Sequence, residues 1–495
     1  MVNRQLSYPQ PLMANAGDSP PVFIGWWQLG SQQKEWPLPS ARLMIAFFLM
    51  AVASPILGGR TGISLLFLFA AVFPFKDLRK FFSKGDFISG LTIVIPVMTL
   101  GNYDALGDLW GSGLIRFSWP LVVLSGVIVV SRYQILKKSV LSCCLALGAL
   151  AAFHVISTVG NTSITVGVER NVSYAFAFAM VMIALSGKKT RDPFVRQMTL
   201  VSIVNCGFCV FEILYPHSSI TISSSRLQAY GSTTAQVTER SAGLYANAIA
   251  SGLLSANCLL LAAITCTKGT ARVKEKLSLA VFVAITAAGV LATFSRSAAL
   301  AYFMAVVLVA FRLSNNRFGR LVQYLPFVGI LILISFFGAG EFLTSRGTLR
   351  GGATRRYEEI KDIFQGDFQI AVDALEQRTT AWAPSKKLWA KPTLLGHGFG
   401  VIYEKQIFPP HNMIIMQLSE GGIIGLFGFL ALLLFFCGFG GWRFQGANAV
   451  LFLSILMPIL LLVIESHSFL IRRYFVIYLA ELVFVTRILF KEKNS

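Results

Sequence analysis

The chain has 495 residues, 55% of them apolar and only 13% charged, with a formal charge of +20 at pH 7. A soluble domain carries about 25% charged residues, so a soluble enzyme is excluded; apolar runs recurring between residues 42 and 486 describe a polytopic membrane protein. The surplus of cations would suit nucleic acid, but membrane proteins also hold Lys and Arg back in their cytoplasmic loops, so the placement of the cations decides.

Residues 1–41 contain six prolines and a Gly-Trp-Trp, with no charged start followed by an apolar core. The expectation is a flexible cytoplasmic tail and no cleavable signal peptide. The apolar pattern then predicts helices near 42–57, 62–75, 86–100, 113–131, 137–156, 172–186, 197–215, 243–266, 277–294, 298–311, 322–339, 412–437, 446–464 and 469–486. Several fall short of the about 20 residues that a span needs, so the expected fold is all-α with about 12–14 transmembrane helices. Alternate loops are rich in cations: 76–84, 132–138, 187–196, 267–276, 312–320 and the tail after 486. The opposite set is poor in them early on, and 102–111 is acidic. The positive-inside rule makes the first set, and both termini, cytoplasmic. With its cations allotted to topology, the chain gives no reason to expect nucleic acid as a partner.

This orientation leaves one long external loop, 340–411, which carries cations that topology does not require. The chain thus reads as a tail (1–41), N-terminal helices (42–239), helices 240–339, the periplasmic loop 340–411, C-terminal helices 412–486 and a short tail 487–495. All seven cysteines lie in apolar runs, which supports neither a zinc site nor a disulfide framework.

Cations at an outer membrane surface suit an anionic ligand held at headgroup level, and arginine is the side chain that forks onto phosphate oxygens. Any one of these arginines alone reads as a snorkelling or paired residue. Arg240 and Arg296 stand apart because of their settings. Arg240 lies in ERSAGLYANAIASG (239–252), where a polar loop becomes a small-residue helix, and Arg296 lies in TFSRSAALAYF (293–303), a tight outward turn. Downstream, Pro409 and Pro410 disfavour helix, so His411 and Asn412 begin the next one, facing outside. A neutral imidazole there is able to take a proton from a hydroxyl. Taken alone, a histidine at a helix start is more often a cap than a catalyst. Glu420 lies too deep to be its direct proton partner, and Gly422 and Gly425 form a small-residue edge that another helix could approach.

In combination, these pieces resemble the O-antigen ligase and polymerase superfamily. His411-Asn412 followed by GIIG (422–425) is similar to its signature. RSAGLYAN (240–247) resembles its Arg-x-x-Gly helix start, TFSRSA (293–298) its Thr-x-Ser-Arg segment, and RTTAWAPSKKLWAKPTLLGHGFG (378–400) the stretch ahead of the histidine. Two departures stand out: Ser297 occupies a place often held by glycine, and the family usually reads with about twelve helices. The resemblance covers about 240–437.

The resemblance implies a C-type glycosyltransferase-like fold in the bacterial inner membrane. It implies transfer of a glycan from undecaprenyl diphosphate to an acceptor at the periplasmic face, with no cofactor and no metal. It makes His411 the base, Arg240, Arg296 and Arg378 the diphosphate-binding residues, and Asn412, Gly422 and Gly425 structural members of the motif. The acceptor would be lipid A–core in a ligase and a second lipid-linked glycan in a polymerase. A transporter or flippase is the reading from another class; Arg116, Glu212, Glu420 and Glu481 are its deeper charges. A third reading is an assembly subunit in which His411, Arg240 and Arg296 are replaceable.

Overall fold

The computed structural model describes residues 138–159, 164–186, 188–215, 248–265, 273–313, 386–390, 393–404 and 412–436. It also describes shorter pieces at 45, 126, 243, 330, 337–338, 340–342, 344–345, 354, 357–359, 361–362, 365–366, 369, 476–481 and 483–484. Apart from such pieces, the tail 1–41 and the helices expected before residue 131, near 322–339 and beyond 446 lie outside the described residues. The chain divides into two units, Met1–Trp36 and Pro37–Ser495, and every described residue belongs to the second.

The elements among the described residues are all helices. In chain order they are α1 (Lys138–Thr158), α2 (Ile164–Ser186), α3 (Lys188–Leu214), α4 (Ala248–Thr265), α5 (Val273–Ala292) and α6 (Arg296–Leu313). Two single turns follow, α7 (Lys386–Trp389) and α8 (Val401–Glu404), and then α9 (Met413–Glu420) and α10 (Gly422–Phe436). Val140–Thr158 and Thr190–Leu214, of 19 and 25 residues, are long and apolar enough to cross a membrane.

The helix expected near 172–186 begins earlier, at Ile164, and two further differences from the apolar pattern have physical reasons. The helix expected near 197–215 begins at Lys188 instead. Thr190 donates its hydroxyl to Ala184 O (2.8 Å) and Arg191 its Nε to Leu185 O (2.7 Å), so the start of α3 satisfies the last carbonyls of α2. The single helix expected over 412–437 is broken between Glu420 and Gly422. Its apolar run continues through the break, which is why the pattern hides it.

Lipid is as apolar as leucine, so helices in a bilayer hold together by close packing and by hydrogen bonds between them. A Cβ at Gly252 of α4 would collide with Ala298 of α6, and one at Gly289 of α5 would stand 2.8 Å from the Cα of Cys206 in α3. Ser251 Oγ donates to Asn205 Oδ1 (3.2 Å), while Asn205 Nδ2 donates back to Ser251 O (3.3 Å). Cys206 Sγ lies 3.2 Å from Ser255 Oγ, and Cys258 Sγ donates to Met198 O. The thiols of α3 and α4 therefore serve as short polar contacts, and none of the five described cysteines is in a disulfide. On the other side of the fold, α10 lies against α1, with Gly425 facing Phe153 and Gly428 facing Leu150.

Candidate functional site

The turn 293–295 shows why its residue types are needed. Thr293 Oγ1 donates to Val290 O (2.7 Å) and accepts from the Ser295 N–H (3.3 Å). Ser295 Oγ accepts from the Ala298 N–H (3.4 Å), which caps the start of α6. Phe294 between them has φ +47°, a left-handed conformation that costs a non-glycine residue on the order of 1–2 kcal/mol. What offsets that strain is packing: Phe294 is 7% exposed and sits with Tyr357, Ile213 and Phe337. Tyr357 donates its hydroxyl to Phe337 O (3.3 Å), and its ring lies so close to Gly340 that a Cβ there would enter it. Lys361 pairs with Glu341 beside it. That ion pair holds the Glu341 carboxyl below its ordinary range, the hydrogen bond from Lys361 being the larger cause, and holds the Lys361 ammonium above its own. Segments on both sides of residue 340 thus converge on the turn from which Arg296 starts α6.

Glycine at 243 is required by its surroundings. Its φ is +54°, and a Cβ would stand 2.5 Å from Asn205 Oδ1, 2.7 Å from Cys209 Sγ and 3.1 Å from Ser251 Oγ. Its N–H donates to Glu212 Oε2 (2.9 Å), a buried carboxyl two residues from the end of α3. A Cβ at Gly252, further along, would also lie 3.5 Å from Thr293 Oγ1. The structure therefore sets Gly252, in the second turn of α4, against Thr293 and Ala298 at the start of α6; Arg240, eight residues before α4, lies outside the described residues. Helix N-termini favour negative charge.

Asn412 is the N-cap of α9. Its backbone is extended (φ −148°, ψ 118°), and its Oδ1 accepts from Ile414 N (2.9 Å) and Ile415 N (3.2 Å). Eight residues later the helix breaks, and the loop 393–398 fills the gap. The N–H groups of His397 and Gly398 donate to Ser419 O and Glu420 O at the end of α9, 3.1 Å in each case. The N–H groups of Ile423 and Ile424 at the start of α10 donate to Thr393 O and Leu394 O, also at 3.1 Å. Irregular backbone at membrane depth is tolerated only when its polar groups are satisfied in this way. Such contact leaves no room for side chains. A Cβ at Gly422 (φ +65°) would stand 2.6 Å from Leu394 O, and one at Gly396 (φ +76°) would stand 2.5 Å from Gly422 N. Gly425 alone of the pair faces a neighbouring helix; Gly422 faces the loop.

One further contact joins these segments to the N-terminal half. His154 of α1 is buried, its Nε2 lies 2.8 Å from Gln417 Oε1, and its ring stacks on Phe399 at 4.6 Å. The Gln417 Oε1 oxygen only accepts, so His154 donates from Nε2. Nothing local in the sequence around His154 signals this; it is one histidine in an apolar helix.

The expected site residues divide as follows. His411, Arg240 and Arg378 lie outside the described residues, and Arg296 is described only as the first backbone position of α6. Asn412, Gly422 and Gly425 are described, and the loop before His411 and the helix after it are in contact. Among the described residues no group of His, Cys, Asp and Glu has the makings of a metal site.

Residues 281–430 match the family model described as O-antigen ligase. No curated protein and no solved structure matches the chain.

Proposed function

We propose that this chain, which belongs to the O-antigen ligase and polymerase superfamily through residues 281–430, transfers a glycan from undecaprenyl diphosphate to lipid A–core. The coarse statement stands on the family match and the apolar helices: this is a membrane protein of a glycosyltransferase-like family that uses lipid-linked glycans. The finer reading is our own. The protein acts at the periplasmic face of the inner membrane with both termini cytoplasmic, on a C-type scaffold of about 12–14 helices with domain limits at 41, 239, 339, 411 and 486.

In this reading, Arg240 and Arg296, with Arg378, hold the two phosphates of the donor. The observation that carries it is the packing of α4 on α6: Gly252, in the second turn of the helix that follows the Arg240 segment, lies against Thr293 and Ala298 on either side of Arg296. Diphosphate is a good leaving group, so the chemistry asks for cations facing the charge that develops on it. It also asks for a base at the acceptor hydroxyl, worth about 10²- to 10⁴-fold. His411 is that base; it directly precedes Asn412, whose side-chain oxygen caps α9. Direct inverting displacement without metal is the simplest step consistent with these groups.

A repeat-unit polymerase draws on the same family match, with a second lipid-linked glycan as acceptor. The test is a deletion strain complemented with wild type or His411→Ala, its envelope glycans resolved by gel. Full-length polymer accumulating unattached to lipid A–core identifies a ligase, and single repeats identify a polymerase. A wild-type pattern from His411→Ala at equal protein level refutes the assignment of the base.

A further inference from the structure

The break between α9 and α10 presents an apolar surface. Ile424 and Phe427, three residues apart on one face of α10, are 46% and 66% exposed, while Gly425, Phe429 and Leu432 are buried on the opposite side. Leu394 and Leu395, in the loop that fills the break, are 64% and 49% exposed. The Ile424 N–H donates to Leu394 O at 3.1 Å, so the loop and the helix face meet in one patch. Leu434, also exposed, continues that face down α10, about 15 Å beyond Ile424 at 1.5 Å per residue. The four backbone bonds between this loop and the ends of α9 and α10 hold the two leucines in place.

Depth decides what such a patch faces. Glu420, which ends α9, lies eight residues past the Asn412 cap. The loop bonded to it therefore sits about 12 Å along the helix from its start. Non-helical backbone at that depth is kept away from bulk lipid; it is buried in protein or lines a cavity. Leu394 and Leu395 are exposed on such backbone, so they line a recess, and an apolar lining suits a hydrocarbon chain better than a sugar. We infer that Leu394, Leu395, Ile424 and Phe427 bind the isoprenoid chain of the lipid-linked donor. This rests on the donor named in the proposed function. All four residues fall within the family match at 281–430. The preformed loop lowers the ordering cost of holding a flexible chain.

The test is photocrosslinking of labelled undecaprenyl diphosphate to full-length protein in lipid nanodiscs, with benzoylphenylalanine placed at Leu395 or at Phe427. Leu145, 63% exposed on α1, is the control for ordinary lipid contact. The adducts at Leu395 and Phe427 are expected to saturate and to be lost on adding excess unlabelled undecaprenyl diphosphate, but not on adding phosphatidylglycerol. The adduct at Leu145 is expected to respond to neither. In a second arm, Leu395→Ala with Phe427→Ala is expected to weaken saturable donor binding at least about tenfold, the loss of burying one large apolar side chain. Both residues are exposed, so the pair leaves the packed core intact. Adducts at Leu395 and Phe427 that compete no better than the one at Leu145 would overturn the inference, the patch then facing bulk lipid. Unchanged donor binding by the alanine pair would overturn it too. Saturable binding by wild type separates this from the underlying reading: its absence defeats the donor assignment, whereas its presence without competed adducts at these positions defeats only the inference.

Discussion

Replacing Asn412 by alanine removes the acceptor for two N–H groups, those of Ile414 and Ile415, at 2.9 and 3.2 Å. Loss of an N-cap costs about 1 kcal/mol in general and up to about 2. Two features place Asn412 near the upper figure. The residue is 8% exposed, so water substitutes poorly for the lost oxygen. The helix it caps has only 8 residues before the break, so few other bonds hold its first turn. About 1.5–2 kcal/mol corresponds to a factor of roughly 10–30 in the population of the ordered helix start, at 1.4 kcal/mol per tenfold. Because His411 is the preceding residue, kcat/KM for glycan transfer is expected to fall by about that factor in Asn412→Ala. Asn412→Ser, which keeps an oxygen acceptor, should recover most of it. The assay is transfer by full-length protein in liposomes, normalised to the folded fraction. Equal rates for wild type and Asn412→Ala would refute the argument, since the cap would then have no bearing on the base.

Gly422→Ala places a methyl group 2.6 Å from Leu394 O at a φ of +65°, and is expected to lower the melting temperature clearly; Gly148→Ala, mid-helix with nothing within 4 Å, should leave it unchanged or raise it by an amount matching about 0.5–1 kcal/mol. His154→Ala and Gln417→Ala share one 2.8 Å contact, so their effects on thermal stability should be non-additive in a double-mutant cycle. The Glu341–Lys361 pair should be weakened by salt, and by acid once the pH falls through the lowered Glu341 value; the raised Lys361 value keeps it intact until the pH rises above the ordinary lysine range. Hydrogen exchange across 337–362 should quicken under either treatment and in Lys361→Ala, while α1 stays unchanged.

Much of the helix layout was legible because apolar length is a strong signal: α1 begins and ends within two residues of the expected 137–156. The start of α3 was not, because Thr190 and Arg191 bond back to carbonyls of another helix, and that partnership leaves no trace in local hydropathy. The break at Gly421–Gly422 was hidden for a similar reason. Glycine reads as small, but which neighbour comes close depends on chain more than 20 residues upstream, and at Gly422 that neighbour is the loop 393–396 and no helix. Thr293, Ser295 and Asn412 were singled out only as parts of motifs the resemblance carries, and their bonds in the structure explain their spacing. Glu212 was visible only as a deep charge. One partner, the backbone N–H of Gly243, has no side chain by which sequence could announce it.

The most direct measurement of the central claim follows release of undecaprenyl diphosphate from a labelled carrier-linked glycan by full-length protein in liposomes. Purified lipid A–core is supplied as acceptor, with wild type set against His411→Ala and an Arg240→Ala/Arg296→Ala pair. The account predicts acceptor-dependent release by wild type, loss of about 10²-fold or more in His411→Ala with donor binding retained, and loss of donor binding in the arginine pair. Release at the wild-type rate by His411→Ala, or donor binding unchanged in the arginine pair, would contradict it.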